Sequence, residues 1–238
     1  GRKEKILDAV LHAAITNDFI ENSTNTLRLK RRDIPAPRTV RYHLEKLKVE
    51  EVTELFNRIF EKIYKEAKSR GFFRGEVDVA IDITDWLFYG DSNNEMVLGT
   101  MPKRGTHHAY KFITLSIVER GIRFTLKALF IKEHSEINKL LEELIVFAKE
   151  KVGINTVYLD RGFYEVEVVN MLKRLGVHFI IHAMQYQGIR KLIEANKAKE
   201  VIVTDYKMRR RLPPYYTIDV KLFIVPHRIK KDEKVGFV

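Results

Sequence analysis

Hydrophobic residues recur with two different periods along this chain, and the change of period divides it. In residues 3–16, Ile6, Leu7, Val10, Leu11, Ala14 and Ile15 stand at helical spacing with one apolar stripe. The polar run Asn22-Ser23-Thr24-Asn25-Thr26 reads as a loop. Arg28, Lys30, Arg31 and Arg32 then lead into Ile34-Pro35-Ala36-Pro37. Residues 38–48 predict a short helix with Val40, Leu44 and Leu47 inward and Arg38, Arg41, Lys46 and Lys48 mostly outward. A third helix over about 50–69 gathers Val52, Leu55, Phe56, Ile59, Phe60 and Ile63 on one face and stops at Gly71. Short helices with arginines on the later one fit a helix-turn-helix DNA reader or, equally, a helical bundle with solvated basic faces.

From residue 77 the period shortens to two. Val77-Asp78-Val79-Ala80-Ile81-Asp82 predicts a buried strand ending on a carboxylate, followed by a polar loop containing Gly90, Gly99, Pro102 and Gly105. Residues 110–119 and 122–132 form the arms of a hairpin around Arg120-Gly121. A helix follows over about 135–150, then a strand from Ile154 to Leu159 ending at Asp160, a helix over about 164–175, and a strand from Val177 to His182. A hairpin followed by alternating helices and strands implies a mixed sheet with right-handed crossovers between its later strands. That order matches the ribonuclease H-like α/β fold, in which chemistry gathers where strands end.

Net charge adds a partner class. The chain of 238 residues carries 43 Lys and Arg against 32 Asp and Glu, a formal +11. Residues 1–76 carry +5, 77–184 carry −1 and 185–238 carry +7, so two basic flanks enclose a near-neutral centre. This suits a polyanion held from both sides. Thermophilic surface chemistry, consistent with only two glutamines, accounts for the charge density but not for its imbalance. The absence of cysteine excludes a thiolate nucleophile, a disulfide scaffold and cysteine-ligated zinc or iron–sulfur centres. No apolar run is long enough to span a membrane and the start is no signal peptide, so the expected location is cytoplasmic, about the nucleoid. Gly1 and the strand-like Val235–Val238 read as cuts in a longer protein.

Two segments carry a resemblance. AIDITDWLFYGD (80–91) and YLDRGFY (158–164) resemble the first and second acidic motifs of DDE transposases, within the insertion-sequence group of bacteria and archaea. KRGTHHAYKF (103–112) is similar to that family too. The resemblance covers about residues 77–184, and it implies metal-dependent cleavage of transposon ends and strand transfer. Phosphodiester chemistry by two Mg²⁺ or Mn²⁺ ions needs clustered hard carboxylates. By the family pattern, Asp82 would bridge both metals and Asp160 would hold one. Asp85 and Asp91 lie nearby, and Asp85 reads as a supporting or loop residue. The third acid of the family is a glutamate on a later helix. Glu194 and Glu233 are candidates within the chain, but the main expectation places it beyond residue 238, with this fragment inactive alone.

The expected organisation is therefore 1–74 helical and DNA-binding, 75–184 a ribonuclease H-like core, and 185–238 a basic β-containing insertion. Expected DNA contacts are Arg38, Arg41, Lys103, Arg104, His107, Lys111, Arg161, Lys207, Arg209, Arg210 and Arg211. Partners implied are terminal inverted repeats, target DNA and a second copy of the chain. Two alternatives stand beside this: a ribonuclease H-like nuclease of branched DNA, and a non-catalytic DNA-binding protein derived from a transposase.

Overall fold

A computed structural model describes residues 2–90, 93–195, 201–210, 212–226 and 234–238. The chain forms two compact units, residues 1–55 and 56–238. The division falls inside one long helix, earlier than the change of hydrophobic period near residue 75.

The first unit contains α1 (Arg2–Thr16), α2 (Ile20–Lys30), α3 (Pro37–Leu44) and the start of α4 (Val49–Ser69). Its small core is Ala9, Ile34 and Val40, with Ile6, Ile20, Leu27 and Leu44 packed around it. The expected loop at 22–26 is instead the middle of α2. Ser23 and Thr24 are buried there, and their hydroxyls find partners without leaving the helix. Ser23 Oγ meets His12 Nδ1 of α1 at 2.6 Å, and Thr24 Oγ1 donates to the Ile20 carbonyl one turn back. Small polar side chains thus satisfy themselves at the α1–α2 contact, where composition alone suggested a loop. Leu47, expected inward, lies past the end of α3 and is exposed.

The second unit is built on a six-stranded mixed sheet. Its strands are β1 (Glu76–Phe88), β2 (Leu98–Lys103), β3 (Thr106–Glu119), β4 (Ile122–Ile131), β5 (Gly153–Leu159) and β6 (Phe179–Ile181). β1 pairs antiparallel with β3 and parallel with β5, β5 pairs parallel with β6, and both β2 and β4 pair antiparallel with β3. Helix α5 (Ile137–Lys151) connects β4 to β5, and α6 (Val166–Arg174) connects β5 to β6. An antiparallel hairpin feeding a β-α-β-α-β run gives the ribonuclease H-like fold expected from the order of elements.

Two corrections concern the start of this sheet. β1 does not end at Asp82 but continues to Phe88, paired with β3 throughout. The expected polar loop contains β2, joined to β3 by the two-residue turn Arg104-Gly105, both at positive φ (48° and 86°). Two left-handed residues match the twist of the strands they join, and a glycine at the second takes that conformation without steric cost.

One face of the sheet is apolar. Val77, Val79 and Ile81 of β1, Ile113, Leu115 and Ile117 of β3, and Val157 and Leu159 of β5 are all buried. Leu141, Leu144, Ile145 and Ala148 of α5 share this core with them. Helix α4 reaches the sheet through a face other than the one its hydrophobic residues suggest. Phe56 and Ile63 are exposed, whereas Asn57 and Tyr64 make the contacts. Asn57 exchanges two 2.9 Å hydrogen bonds with the backbone of Ala128 on β4, and Tyr64 Oη donates to the Lys151 carbonyl at 2.8 Å.

After β6 come α7 (Gln187–Ala195) and a second sheet of β7 (Ile202–Arg209), β8 (Thr217–Pro226) and β9 (Lys234–Phe237), all antiparallel. The chain end returns to the first sheet, where Val238 and Ile181 exchange two backbone hydrogen bonds. The strand-like reading of Val235–Val238 and the β content of 185–238 agree with this. Among the described residues no helix is long and apolar enough to cross a membrane.

Candidate active site

The parallel β1–β5 pair positions the first two expected acids. Its last rung is Ile81 opposite Leu159, so Asp82 and Asp160 each follow immediately beyond it. Asp160 keeps an extended backbone (φ −75°, ψ 177°), which carries the strand direction one residue further. Asp82 and Asp160 are thereby neighbours on adjacent segments, whose backbones run one strand spacing apart, about 4.8 Å. Asp82 is half-buried and Asp160 exposed. Two acids just beyond the same rung offer hard oxygen donors to a cation.

Local chemistry explains the Asp-Arg-Gly-Phe segment. Asp160 caps the short 3₁₀ turn Arg161–Phe163, its Oδ1 accepting from Gly162 N–H at 2.9 Å. A Cβ on residue 162 would lie 3.0 Å from that same oxygen and would push the carboxylate aside by a few tenths of an ångström. Phe163 is buried and anchors the turn, while Arg161 is exposed beside it.

A cleft of about 800 Å³ opens next to Asp160, lined by Asp85, Thr100, Lys103, His107, His108, Lys111, His134 and Gly162 among others. It therefore collects Lys103, His107 and Lys111 from the expected DNA contacts around one of the two acids. Asp82 is not among its lining residues, because it lies on the opposite face of β1 from Asp85. Arg104 sits at the exposed β2–β3 turn, where its carbonyl accepts from Tyr89 Oη at 3.2 Å.

Asp85 is the residue whose importance the sequence reading missed. Lys111 Nζ donates to its Oδ1 at 2.9 Å, Thr100 Oγ1 donates to its Oδ2, and Lys103 Nζ lies 3.8 Å from Oδ2. Burial alone would raise its carboxyl. The bonds from Thr100 and Lys111 and the charges of Lys111 and Lys103 outweigh burial and hold it below the usual carboxylate range. A signal was present: Val77, Val79, Ile81 and Ile83 are alternate apolar residues, and Asp85 continues their row.

The remaining candidates lie apart. Glu194 is exposed near the end of α7. Among the described residues no three His, Asp or Glu side chains converge on one point, so Glu194 is not gathered with Asp82 and Asp160. Glu233, Asp91 and Arg211 lie outside the described residues. Arg38 and Arg41 are on α3, Arg41 paired with Glu21 of α2. Lys207 and Arg209 are exposed on β7. Arg210 is occupied internally, by Glu167 and by the carbonyls of Leu212 and Pro214. That pairing outweighs burial and lowers the Glu167 carboxyl.

A second cleft, about 940 Å³, lies between α6, the start of α7 and β7, with Tyr164, Tyr186 and Tyr206 in its wall. Tyr164 is buried, and its hydroxyl finds no hydrogen-bond partner among the described residues. Burial first, and then neighbouring Tyr206 and Tyr186, raise its ionisation well above the ordinary tyrosine value.

The fold is that of a ribonuclease H-like α/β protein with a helical N-terminal unit. No protein-family model matches the sequence, and no curated protein matches it. Solved structures similar to it include a Mos1 transposase paired-end complex with the left transposon end, at TM-score 0.27 and 11% identity, covering 73% of this chain and 57% of that one. The Mos1 strand transfer complex is similar at TM-score 0.27 and 13% identity, covering 80% of this chain and 64% of that one. This chain thus spans less than two thirds of the length of either.

Proposed function

We propose that this chain is part of a DNA transposase of the DDE type, cleaving transposon ends and joining them to target DNA. The observation that carries the reading is the side-by-side placement of Asp82 and Asp160 one residue beyond the last β1–β5 rung. The two motifs resembling those of insertion-sequence transposases meet there, although they are 78 residues apart in sequence. The carboxylate oxygens of these two acids suit a hard divalent ion.

Asp82 and Asp160 would hold Mg²⁺ or Mn²⁺, with Gly162 N–H fixing the second carboxylate. Bound there, the ions supply charge relief at phosphorus and a more acidic attacking water. The cleavage step breaks the phosphodiester bond and leaves a free 3′-hydroxyl. In the joining step that hydroxyl attacks a target phosphate, and the displaced target strand leaves with its own 3′-hydroxyl. Lys103, Lys111 and Arg161 near Asp160, and the basic flanks, would hold backbone phosphates. Terminal inverted repeats, target DNA and a second copy are the partners of this reading.

A non-catalytic DNA-binding protein is the second reading, favoured by one observation: no third acid joins the pair among the described residues. The test uses the native full-length protein and a plasmid bearing the DNA on both sides of its gene. Wild type should cut at discrete flanking positions only with Mg²⁺ or Mn²⁺. Asp82→Ala and Asp160→Ala should each abolish cutting and retain binding. Undiminished cutting by either variant overturns the catalytic assignment, and binding without cutting by wild type selects the second reading.

A further inference from the structure

The core-facing row of the β1–β3 ladder reads Val79 opposite Ile117, Ile81 opposite Leu115, Ile83 opposite Ile113, and then Asp85 opposite Lys111. An apolar ladder ends on an ion pair. Lys111 is only 8% exposed, although lysine is among the residues least often buried. Removing two charges from water costs several kcal/mol, and a well-packed apolar pair is frequently as stable. Stability alone therefore gives little reason for this rung to be charged.

The position gives a better one. Asp85 and Lys111 both line the cleft that Asp160 borders, with Lys103 and three histidines around them. Asp85 takes one donor from Lys111 and has its other oxygen held by Thr100, with Lys103 close to that oxygen. An ammonium carries three donors, so one bond to Asp85 directs the group without exhausting it. With Asp160 at its border the cleft holds two lysines and two carboxylates, so a phosphate there is held by directed ammonium donors and not by net charge.

We propose that the cleft beside Asp160 is a seat for a backbone phosphate, bound by Lys111, and that Asp85 is the positioning residue that aims Lys111 into it. Asp85 is then no metal ligand, despite lying three residues from Asp82: it stands on the other face of β1 and is engaged by lysines. The seat deepens the reading of the chain as a DNA-processing protein and rests on its DNA-binding part, not on its catalysis.

The distinguishing feature is a sign. If Asp85 acts only through its charge, removing a negative group near a DNA site should tighten binding. If it positions Lys111, removal should weaken binding. The experiment measures affinity of the full chain for a fluorescein-labelled 30-base-pair duplex, with Ca²⁺ in place of catalytic metals, across a salt series. Lys111→Met should reduce the slope of log K against log salt by about 0.9, the equivalent of one phosphate contact, and weaken binding about fivefold at 0.15 M salt. Asp85→Asn should weaken binding in the same direction, and the double variant should be no worse than Lys111→Met alone. Asp85→Glu, which keeps the charge and displaces the carboxylate, should also weaken binding, and it serves if Asp85→Asn does not fold. Tighter binding by Asp85→Asn, unchanged binding by Asp85→Glu, an unaltered slope for Lys111→Met, or no duplex binding by wild type each overturns the seat. Wild type that binds with these effects but never cuts DNA upholds the seat and refutes the transposase.

Discussion

Asp82 and Asp160 are neighbours across a parallel strand pair, each one residue beyond the rung formed by Ile81 and Leu159. Two carboxylates just beyond the same rung, with no cation between them, disfavour each other weakly near a solvated surface. Asp82→Asn or Asp160→Asn should therefore raise Tm slightly without divalent ions, by a few degrees at most. The same substitutions should remove any Tm increase that Mn²⁺ gives the wild type. A thermal melt series with and without Mn²⁺ checks both, and an undiminished Mn²⁺ response in either variant would show that the pair is not the ion site.

Gly162→Ala tests how the second acid is held. Nothing in the backbone forbids alanine there, since Gly162 is not at positive φ, but its Cβ would crowd Asp160 Oδ1 at 3.0 Å. The expected outcome is weakened Mn²⁺ binding, roughly tenfold as for groups that orient metal ligands, with stability changed by less than about 1 kcal/mol. Calorimetric titration with Mn²⁺, paired with urea unfolding, separates the two effects.

Asn57→Ala should destabilise the sheet unit. Among the described residues β4 pairs with β3 alone, and on its other edge Asn57 caps Ala128 through both backbone groups. Loss of the cap leaves a part-buried N–H and C=O unpaired, a cost of about 1–3 kcal/mol. It also exposes edge groups that can pair with another chain. Urea midpoints should fall and light scattering near the midpoint should rise; an unchanged midpoint would mean that water replaces the cap freely.

Tyr164→Phe should run against the usual trend for buried substitutions. The Tyr164 hydroxyl is buried with no well-formed hydrogen bond among the described residues and only a weak interaction with the Tyr206 hydroxyl, so its removal costs little and relieves desolvation. Stability should be unchanged or rise by up to about 1 kcal/mol. A loss larger than that in urea unfolding would reveal a partner for the hydroxyl.

Asp85 gives a pH dependence whose sign can be worked out. Its folded-state pKa is lowered, so its contribution is fully present above the unfolded value, about 3.9, and is lost as pH falls through the lower folded value. Asp85→Asn should thus destabilise most above about pH 4, and the gap between variant and wild type should close below it. Urea midpoints from pH 2.5 to 7 measure this; a gap independent of pH would assign the effect to packing.

Periodicity revealed the order of strands and helices from residue 77 onward because buried strands and amphipathic helices must repeat at their own spacings. It also placed Asp82 on the first strand and Asp160 at the end of the strand that follows α5. Charge counting located the basic flanks, which need no fold to be counted.

Three features only the tertiary structure decided. Register decided that Asp82 and Asp160 are neighbours, because pairing between residues 78 apart leaves no local trace in either segment. Packing decided that Asn22–Thr26 is helical, because Ser23 and Thr24 satisfy their hydroxyls against His12 and Ile20, relations that composition cannot express. The β1–β3 ladder decided the role of Asp85. In the sequence it is a polar residue after an apolar run, the usual mark of a loop. In the sheet it is opposite Lys111, and burial turns two distant charges into one device.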